Sequence, residues 1–330
     1  MIKAYGFILL IFLSGNAFGT VAGSSETARK FPVFNWYEGQ EKCEPAEEHY
    51  VEIQNARVRY VEAGSGPVVV MIHGNAGSVD DFDFKSLGLL CRDHRVIAVD
   101  RPGHGKSDRP GGSDSTLQYQ TRLLHETLSH LGITHPVLVG HSWGGALALA
   151  YALNYPKELS AIVLLAPAAY SDGGADQFKR AVLKTPIVGD ISLTVGRILF
   201  GKHIVKSELE KAFYPDSVPE DYLRQASASW LRHKQVRAIL EDEYSLDKDL
   251  EKISKHYSDI RIPVVVVTGD HDKVVSAKQN AYRLKTSISQ SQLIELKNTG
   301  HQVPQTHPES IYSAVTLIPK SSALLRGKGQ

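Results

Sequence analysis

Val137-Leu-Val-Gly140-His141-Ser142-Trp143-Gly144-Gly145-Ala-Leu-Ala-Leu-Ala150 is the stretch whose reading decides the fold of this chain. An apolar, β-branched run stops at Gly140 and a small-residue helical pattern starts at Gly144. Ser142 lies between them, inside G-x-S-x-G. A strand that turns at once into a helix forces its middle residue into a strained conformation. Larger residues at 140 or 144 would collide across such a turn. The hydroxyl is then held clear of the sheet at a helix N-terminus, where N–H groups and the dipole favour developing negative charge. An ordinary turn carrying a solvent-facing Ser has the same pentapeptide. The rest of the chain must therefore supply the parts a serine nucleophile needs.

Working outward, the pattern on either side alternates between strand and helix. His49–Gln54 and Arg57–Val61 alternate apolar and polar residues, as half-exposed antiparallel strands do. Pro67–Ile72 is continuously apolar, which suits a strand covered on both faces. An amphipathic segment from Asp80 to Leu90, a strand Arg95–Asp100 and a helix Leu117–Leu131 follow, the helix with Leu117, Leu124, Leu128 and Leu131 on one face. Pro136–Val139 leads into the serine turn, Gly145–Leu153 forms the helix behind it, and Ala161–Leu165 is another buried strand. From Ala168 to about Asp259 the pattern is helical with Pro and Gly breaks. Ile262–Thr268 resumes the alternation, followed by a helix from Ser276, a short strand Gln292–Leu296 and a last helix from Pro308.

This order resembles the α/β-hydrolase superfamily over roughly Glu48 to Pro319, with the serine turn as its nucleophile elbow. The resemblance implies an α/β fold: a mostly parallel central sheet with helices on both faces and a helical cap inserted after the sixth strand. It divides the chain into a core at 49–167 and 260–330 and a cap at 168–259. Residues 20–48 form a polar, irregular extension.

The N-terminus reads differently. Met1-Ile-Lys3 precedes an uncharged apolar run, Ala4 to Leu13, and then small residues at Ala17 and Gly19. That layout predicts a signal peptide over 1–19 and an exported, periplasmic or secreted protein. The run is short for a bilayer span, so no stable membrane insertion is expected after cleavage; an uncleaved anchor is the competing reading. Export leaves two cysteines, Cys43 and Cys91, which either pair or stand as unrelated thiols. A net charge of +1 over 330 residues gives no general attraction to nucleic acid.

A serine alcohol needs a base, and the base needs an acid to fix its tautomer. Chain order in the family is nucleophile, acid, histidine. The resemblance therefore nominates Ser142, then Asp272, then His301 as catalytic residues. His301 follows Gly300 in a loop after the last strand, similar to the family's G-H, and it is one of 14 histidines. The family's G-x-x-D selects Asp272 over Asp270 within Gly269-Asp-His-Asp272, leaving Asp270 to order the turn. Two N–H donors of an oxyanion hole would come from Trp143 and from Asn75, which follows His73-Gly74.

Asp100-Arg-Pro-Gly-His104-Gly105-Lys106-Ser107 ends like a P-loop but has Asp at 100, where that motif requires Gly. It is similar to the superfamily's structural turn after the fourth strand and is assigned no catalytic role. No histidine pair sits at zinc-ligand spacing with a Glu between, and two distant cysteines do not make a metal site, so neither metal nor cofactor is expected.

Asn75 and Trp143 are similar to the halide-clamping pair of haloalkane dehalogenases, whose elbow reads G-H-D-W-G. The layout likewise resembles the capped dehalogenase and epoxide-hydrolase branch. Position 142 departs from it, because Ser cannot form the alkyl ester on a carboxylate that those reactions use. With Ser the covalent species is an acyl-enzyme, so the implied partner is a small molecule carrying an ester or related acyl bond. The alternatives are an acyltransferase or perhydrolase using the same triad, and a receptor-like hydrolase fold that binds a small molecule. In the cap, 181–188 and Ile191–Phe200 are richly apolar. Packing between cap and core is the expected reason, with an apolar acyl-binding wall as the sharper reading.

Overall fold

A computed structural model of the chain describes residues 46–82, 84–110, 115–173 and 186–326. The expected signal peptide, most of the extension and Cys43 lie outside the described residues. Cys91 is buried and disulfide-bonded.

Eight strands form one sheet: β1 Glu47–Ile53, β2 Ala56–Ala63, β3 Val68–Ile72, β4 Arg95–Val99, β5 Val137–His141, β6 Ala161–Leu165, β7 Val264–Gly269 and β8 Gln292–Leu296. Their spatial order is β1-β2-β4-β3-β5-β6-β7-β8. β1 with β2 and β2 with β4 pair antiparallel, and every other neighbour is parallel. The helices are α1 Phe84–Leu90, α2 Leu117–His130, α3 Trp143–Asn154, α4 Pro186–Phe213, α5 Glu220–Trp230, α6 His233–Ile253, α7 Ala281–Ser287, α8 Val303–Thr306 and α9 Pro308–Arg326.

The continuous apolar runs are explained by burial on both faces. Successive strand residues point to opposite sides. Val70 and Ile72 of β3 therefore join one core cluster with α2, α3 and α7, while Val69 and Met71 join the other with α1 and α9. β7 splits the same way, Val264 and Val266 to the first cluster and Val265 and Val267 to the second.

Boundaries move where capping and side-chain bonds override periodicity. α3 begins at Trp143, two residues before the expected start, because the helix grows directly out of the turn. The segment expected as one helix from Asp80 is a short 3-10 turn at Val79–Asp81 followed by α1. The helix expected from Ser276 begins only at Ala281. There Asn280 Oδ1 accepts from the Ala169 and Tyr170 N–H groups at 2.8 and 3.0 Å, which holds the preceding residues in a turn.

The helical insertion between β6 and β7 comprises α4, α5 and α6, with a small core of its own built from Val205, Leu209, Phe213, Tyr222 and Ala226. Cap-to-core packing does not describe the end of the second apolar stretch. Ile198, Leu199 and Phe200 are 70, 65 and 47% exposed.

Candidate active site

The elbow has the strained geometry its sequence requires. Ser142 sits at φ 54° and ψ −115°, between the end of β5 and the first residue of α3. Its N–H donates to Leu165 O at 2.9 Å, and its carbonyl accepts from Gly145 and Ala168. A Cβ at Gly140 would lie 2.2 Å from the Gly144 carbonyl oxygen, and one at Gly144 would lie 2.3 Å from that of Ile72. Both clashes are with backbone, which cannot swing away. Gly144→Ala is therefore expected to destabilise by at least the ~1–3 kcal/mol of an overpacked core, despite gaining up to ~1 kcal/mol of helix propensity. Urea unfolding checks this; a variant as stable as the parent contradicts the close approach.

His301 and Asp272 meet across two loops. His301 Nδ1 lies 2.7 Å from Asp272 Oδ2, and the Asp272 side chain is fully buried. The other carboxylate oxygen, Oδ1, accepts from the Val274 and Val275 N–H groups, both at 2.8 Å. A carboxylate only accepts, so the histidine proton sits on Nδ1 and leaves the Nε2 lone pair available as a base. Asp270 faces elsewhere: its carboxylate pairs with His271 at 2.7 Å and accepts from the Thr299 N–H. The backbone of His301 is fixed as well. Its N–H donates to Ala212 O at 2.8 Å, at the end of α4, and its carbonyl accepts from His141 Nε2 at 3.0 Å. Burial first, then the neighbouring His301, pulls His141 down to about 3, so it is a neutral donor. The two rings lie 4.9 Å apart, which places the His301 loop beside the elbow.

The loop after β3 passes the other side. A Cβ at Gly74 would lie 3.1 Å from the Ser142 Cβ, so residues 74 and 142 are immediate neighbours. Among the described residues, neither the Asn75 nor the Trp143 backbone N–H has a hydrogen-bond acceptor. Their side chains are engaged. Asn75 Nδ2 donates to Ile239 O at 3.2 Å, and the Trp143 indole N–H points at Asp242 O at 3.5 Å. The two side-chain donors that resemble a halide clamp are thus directed at the backbone of α6.

A buried polar seam joins α6 to the core, signalled in the sequence only by a polar spacing along that helix. Gln235, Asp242 and Asp249 stand seven residues apart, on one face of the helix. Gln235 donates to Ala76 O and Gly77 O at 3.1 and 3.2 Å, and Asp249 accepts from the Leu117 N–H at 2.9 Å. Asp242, fully buried, accepts from Arg101 at 2.5 Å, His104 at 2.9 Å, Arg109 at 2.5 Å and Gln120 at 3.1 Å. Burial alone would push its carboxyl up, but Arg101, His104 and Arg109 outweigh that and hold it below the usual carboxylate range. Arg101, pulled down to about 10 by burial, stays cationic at neutral pH. Gln235 Oε1 accepts from the Gly105 N–H, so its Nε2 donates to His104 Nδ1 at 3.0 Å. His104 is then neutral and donates from Nε2 to Asp242.

That histidine gives a pH prediction. Burial, then Arg101, lowers His104 to about 3 from 6.5. Between those values the unfolded chain binds the extra proton, so stability falls as pH drops through 6.5. The loss is about 2 kcal/mol at pH 5, at ~1.4 kcal/mol per unit. Asp81, pushed up to about 7 by burial, works oppositely, so the test is a difference. His104→Gln, which keeps a donor for Asp242, should lose about 2 kcal/mol less than the parent between pH 7 and pH 5. Urea unfolding at both pH values measures it, and parallel losses contradict the assignment.

Among the described residues no group of three or more His, Cys, Asp or Glu side chains is arranged to hold a metal ion. The arrangement offers a hydroxyl on a strained turn, an imidazole bonded to a buried carboxylate, and two backbone donors with no acceptor among the described residues.

Known proteins are similar to this chain along much of its length. Lipase 1 of Psychrobacter immobilis is 26% identical over 247 residues, spanning 73% of this chain and 74% of the lipase. Haloalkane dehalogenase 2 of Mycobacterium tuberculosis is 23% identical over 278 residues, spanning 82% and 94%. A crystal structure of an α/β hydrolase fold protein from Burkholderia ambifaria superposes with a TM-score of 0.69 at 25% identity, covering 81% of this chain and 96% of that one. The profile of the α/β hydrolase fold family matches residues 67–308, which include the elbow, both carboxylate candidates and His301. With the strand order, the elbow and this match agreeing, the chain belongs to the α/β hydrolase fold family.

Proposed function

We propose that this α/β hydrolase cleaves carboxylic esters through an acyl-Ser142 intermediate, with His301 as base and Asp272 as its partner. The observation that carries the reading is the 2.7 Å contact between His301 and Asp272, in a loop packed beside the strained Ser142. Ser142 Oγ attacks the ester carbonyl as His301 Nε2 takes its proton. The tetrahedral oxyanion accepts from the Asn75 and Trp143 backbone N–H groups. Collapse breaks the bond to the alcohol, which leaves with the proton from His301. Water, deprotonated by His301, then adds to the acyl group, and the acid departs as Ser142 regains its proton.

Serine at 142 favours this over dehalogenation, and the engaged side chains of Asn75 and Trp143 add to that preference. Similarity to a lipase is consistent with an ester substrate. A panel of p-nitrophenyl esters of increasing acyl length tests the proposal, with Ser142→Ala as control. Turnover in the parent and none in the variant is expected; ester turnover undiminished in the variant contradicts it. Adding competing alcohol or peroxide acceptors to the same assay separates hydrolysis from acyl transfer.

A further inference from the structure

The loop set aside as a structural turn reaches the proposed oxyanion site through one side chain. We propose that Arg101, held in place by Asp242 of the inserted helix α6, is a positioning residue for both oxyanion donors, so that docking of the insertion completes that site. This rests on the ester-hydrolase reading above.

The Asn75 N–H and the Gly74 C=O are the two ends of one peptide unit. Arg101 Nη2 donates to that carbonyl at 3.1 Å. The second donor is His73. Its Nε2 accepts from the Arg101 N–H at 2.9 Å, so its proton is on Nδ1, which lies 2.8 Å from the same carbonyl. With the longer Gly77 N–H bond at 3.4 Å, three donors, one of them cationic, draw charge toward the Gly74 oxygen. They make the N–H at the other end a stronger donor and fix its direction. The second oxyanion residue is held by the same group: the Arg101 guanidinium lies 4.0 Å above the Trp143 ring. Arg101 itself is only 2% exposed, so it acts through these neighbours and not on substrate.

Asp242 is what allows a cation to remain there. A guanidinium this buried requires a counter-charge, and Nη1 finds it at 2.5 Å while also reaching Gln120 Oε1 at 3.1 Å. The fork geometry matters, because one guanidinium serves the carboxylate and the Gly74 carbonyl together. A lysine ammonium could satisfy Asp242 but not both at those positions. The alternative is that the seam only ties the insertion to the core. The two accounts differ in whether the transition state is affected more than substrate binding.

The experiment compares the parent with Arg101→Lys on a short activated ester, with rates expressed per site titrated by a fluorophosphonate. Misfolded molecules then drop out of the ratio. The expected result is a kcat lower by about 10- to 100-fold, with KM within about twofold. A trifluoromethyl ketone, which forms a tetrahedral oxyanion, should bind more weakly by a similar factor. The unreactive methyl ketone of the same shape should bind unchanged. Parent-like kcat per titrated site overturns the proposal, as does an equal loss of affinity for both ketones. If Arg101→Lys yields too little folded enzyme, Asp242→Asn is scored the same way and should show the same pattern. Failure of the fluorophosphonate to label Ser142 in the parent would sink the ester-hydrolase reading itself. Labelled Ser142 with an unaffected Arg101→Lys would overturn this inference alone.

Discussion

Asp272→Asn is expected to lower kcat by about 10⁴ while leaving the fold intact. The carboxylate does two things that an amide cannot do together. It accepts from His301 Nδ1 at 2.7 Å, and its second oxygen accepts from the Val274 and Val275 N–H groups. Asparagine can keep the backbone bonds with its oxygen, but it then presents an NH₂ group to the histidine. His301 must answer with a bare Nδ1, which moves its proton to Nε2 and removes the base. The imidazolium formed during attack also loses its fully buried counter-charge. Asp270→Asn provides the contrast. Its carboxylate bonds His271 and the Thr299 N–H at the loop surface, so activity should change little. Steady-state kinetics on both purified variants decide between the two carboxylates. A folded Asp270→Asn that is the more damaged of the pair would show that the wrong acid was chosen.

The largest loss is expected at Ser142 itself. In a comparable triad, removing the nucleophile lowers kcat by about 10⁶, and Ser142→Ala should fall in that range. The same position should gain stability when function is removed in a different way. Ser142 holds φ 54° and ψ −115°, a conformation that side chains other than glycine adopt only under strain. Ser142→Gly relieves that strain at a site where flanking backbone bonds already fix the turn. It should be inactive yet more stable by about 1–2 kcal/mol, while Ser142→Ala should match the parent in stability. Parallel thermal unfolding and ester assays read both effects. Glycine less stable than alanine at 142 would mean that the turn stores no strain.

How far the sequence could be read depended on whether a signal was local. The elbow was legible because a strand, a helix and three glycines compress their requirements into a few adjacent residues. The buried strands were legible because both faces are covered, which leaves unbroken apolar runs such as Val68–Ile72. The buried seam was not. Asp242 stands inside Glu241-Asp242-Glu243, which reads as a solvated helix face, and its partners Arg101 and His104 lie 141 and 138 residues away. The polar spacing Gln235, Asp242, Asp249 was the one available signal, a stripe where a docking helix normally carries apolar residues. The role of Arg101 is illegible for a related reason. Nothing local in a turn motif says which backbone carbonyl a guanidinium will reach. The late start of α7 reflects one side chain, Asn280, bonded across to residues 169 and 170.

The central claim is that chemistry passes through an acyl group on Ser142, and trapping that group tests it most directly. The parent enzyme is mixed rapidly with an activated ester, quenched in acid within the first turnovers, digested and analysed by mass spectrometry. The account predicts an acyl mass increment on the peptide containing Gly140-His-Ser142-Trp-Gly144, accumulating as a burst when deacylation is slow and absent from Ser142→Ala. An acyl adduct on any other residue, or turnover that persists in Ser142→Ala, would contradict it.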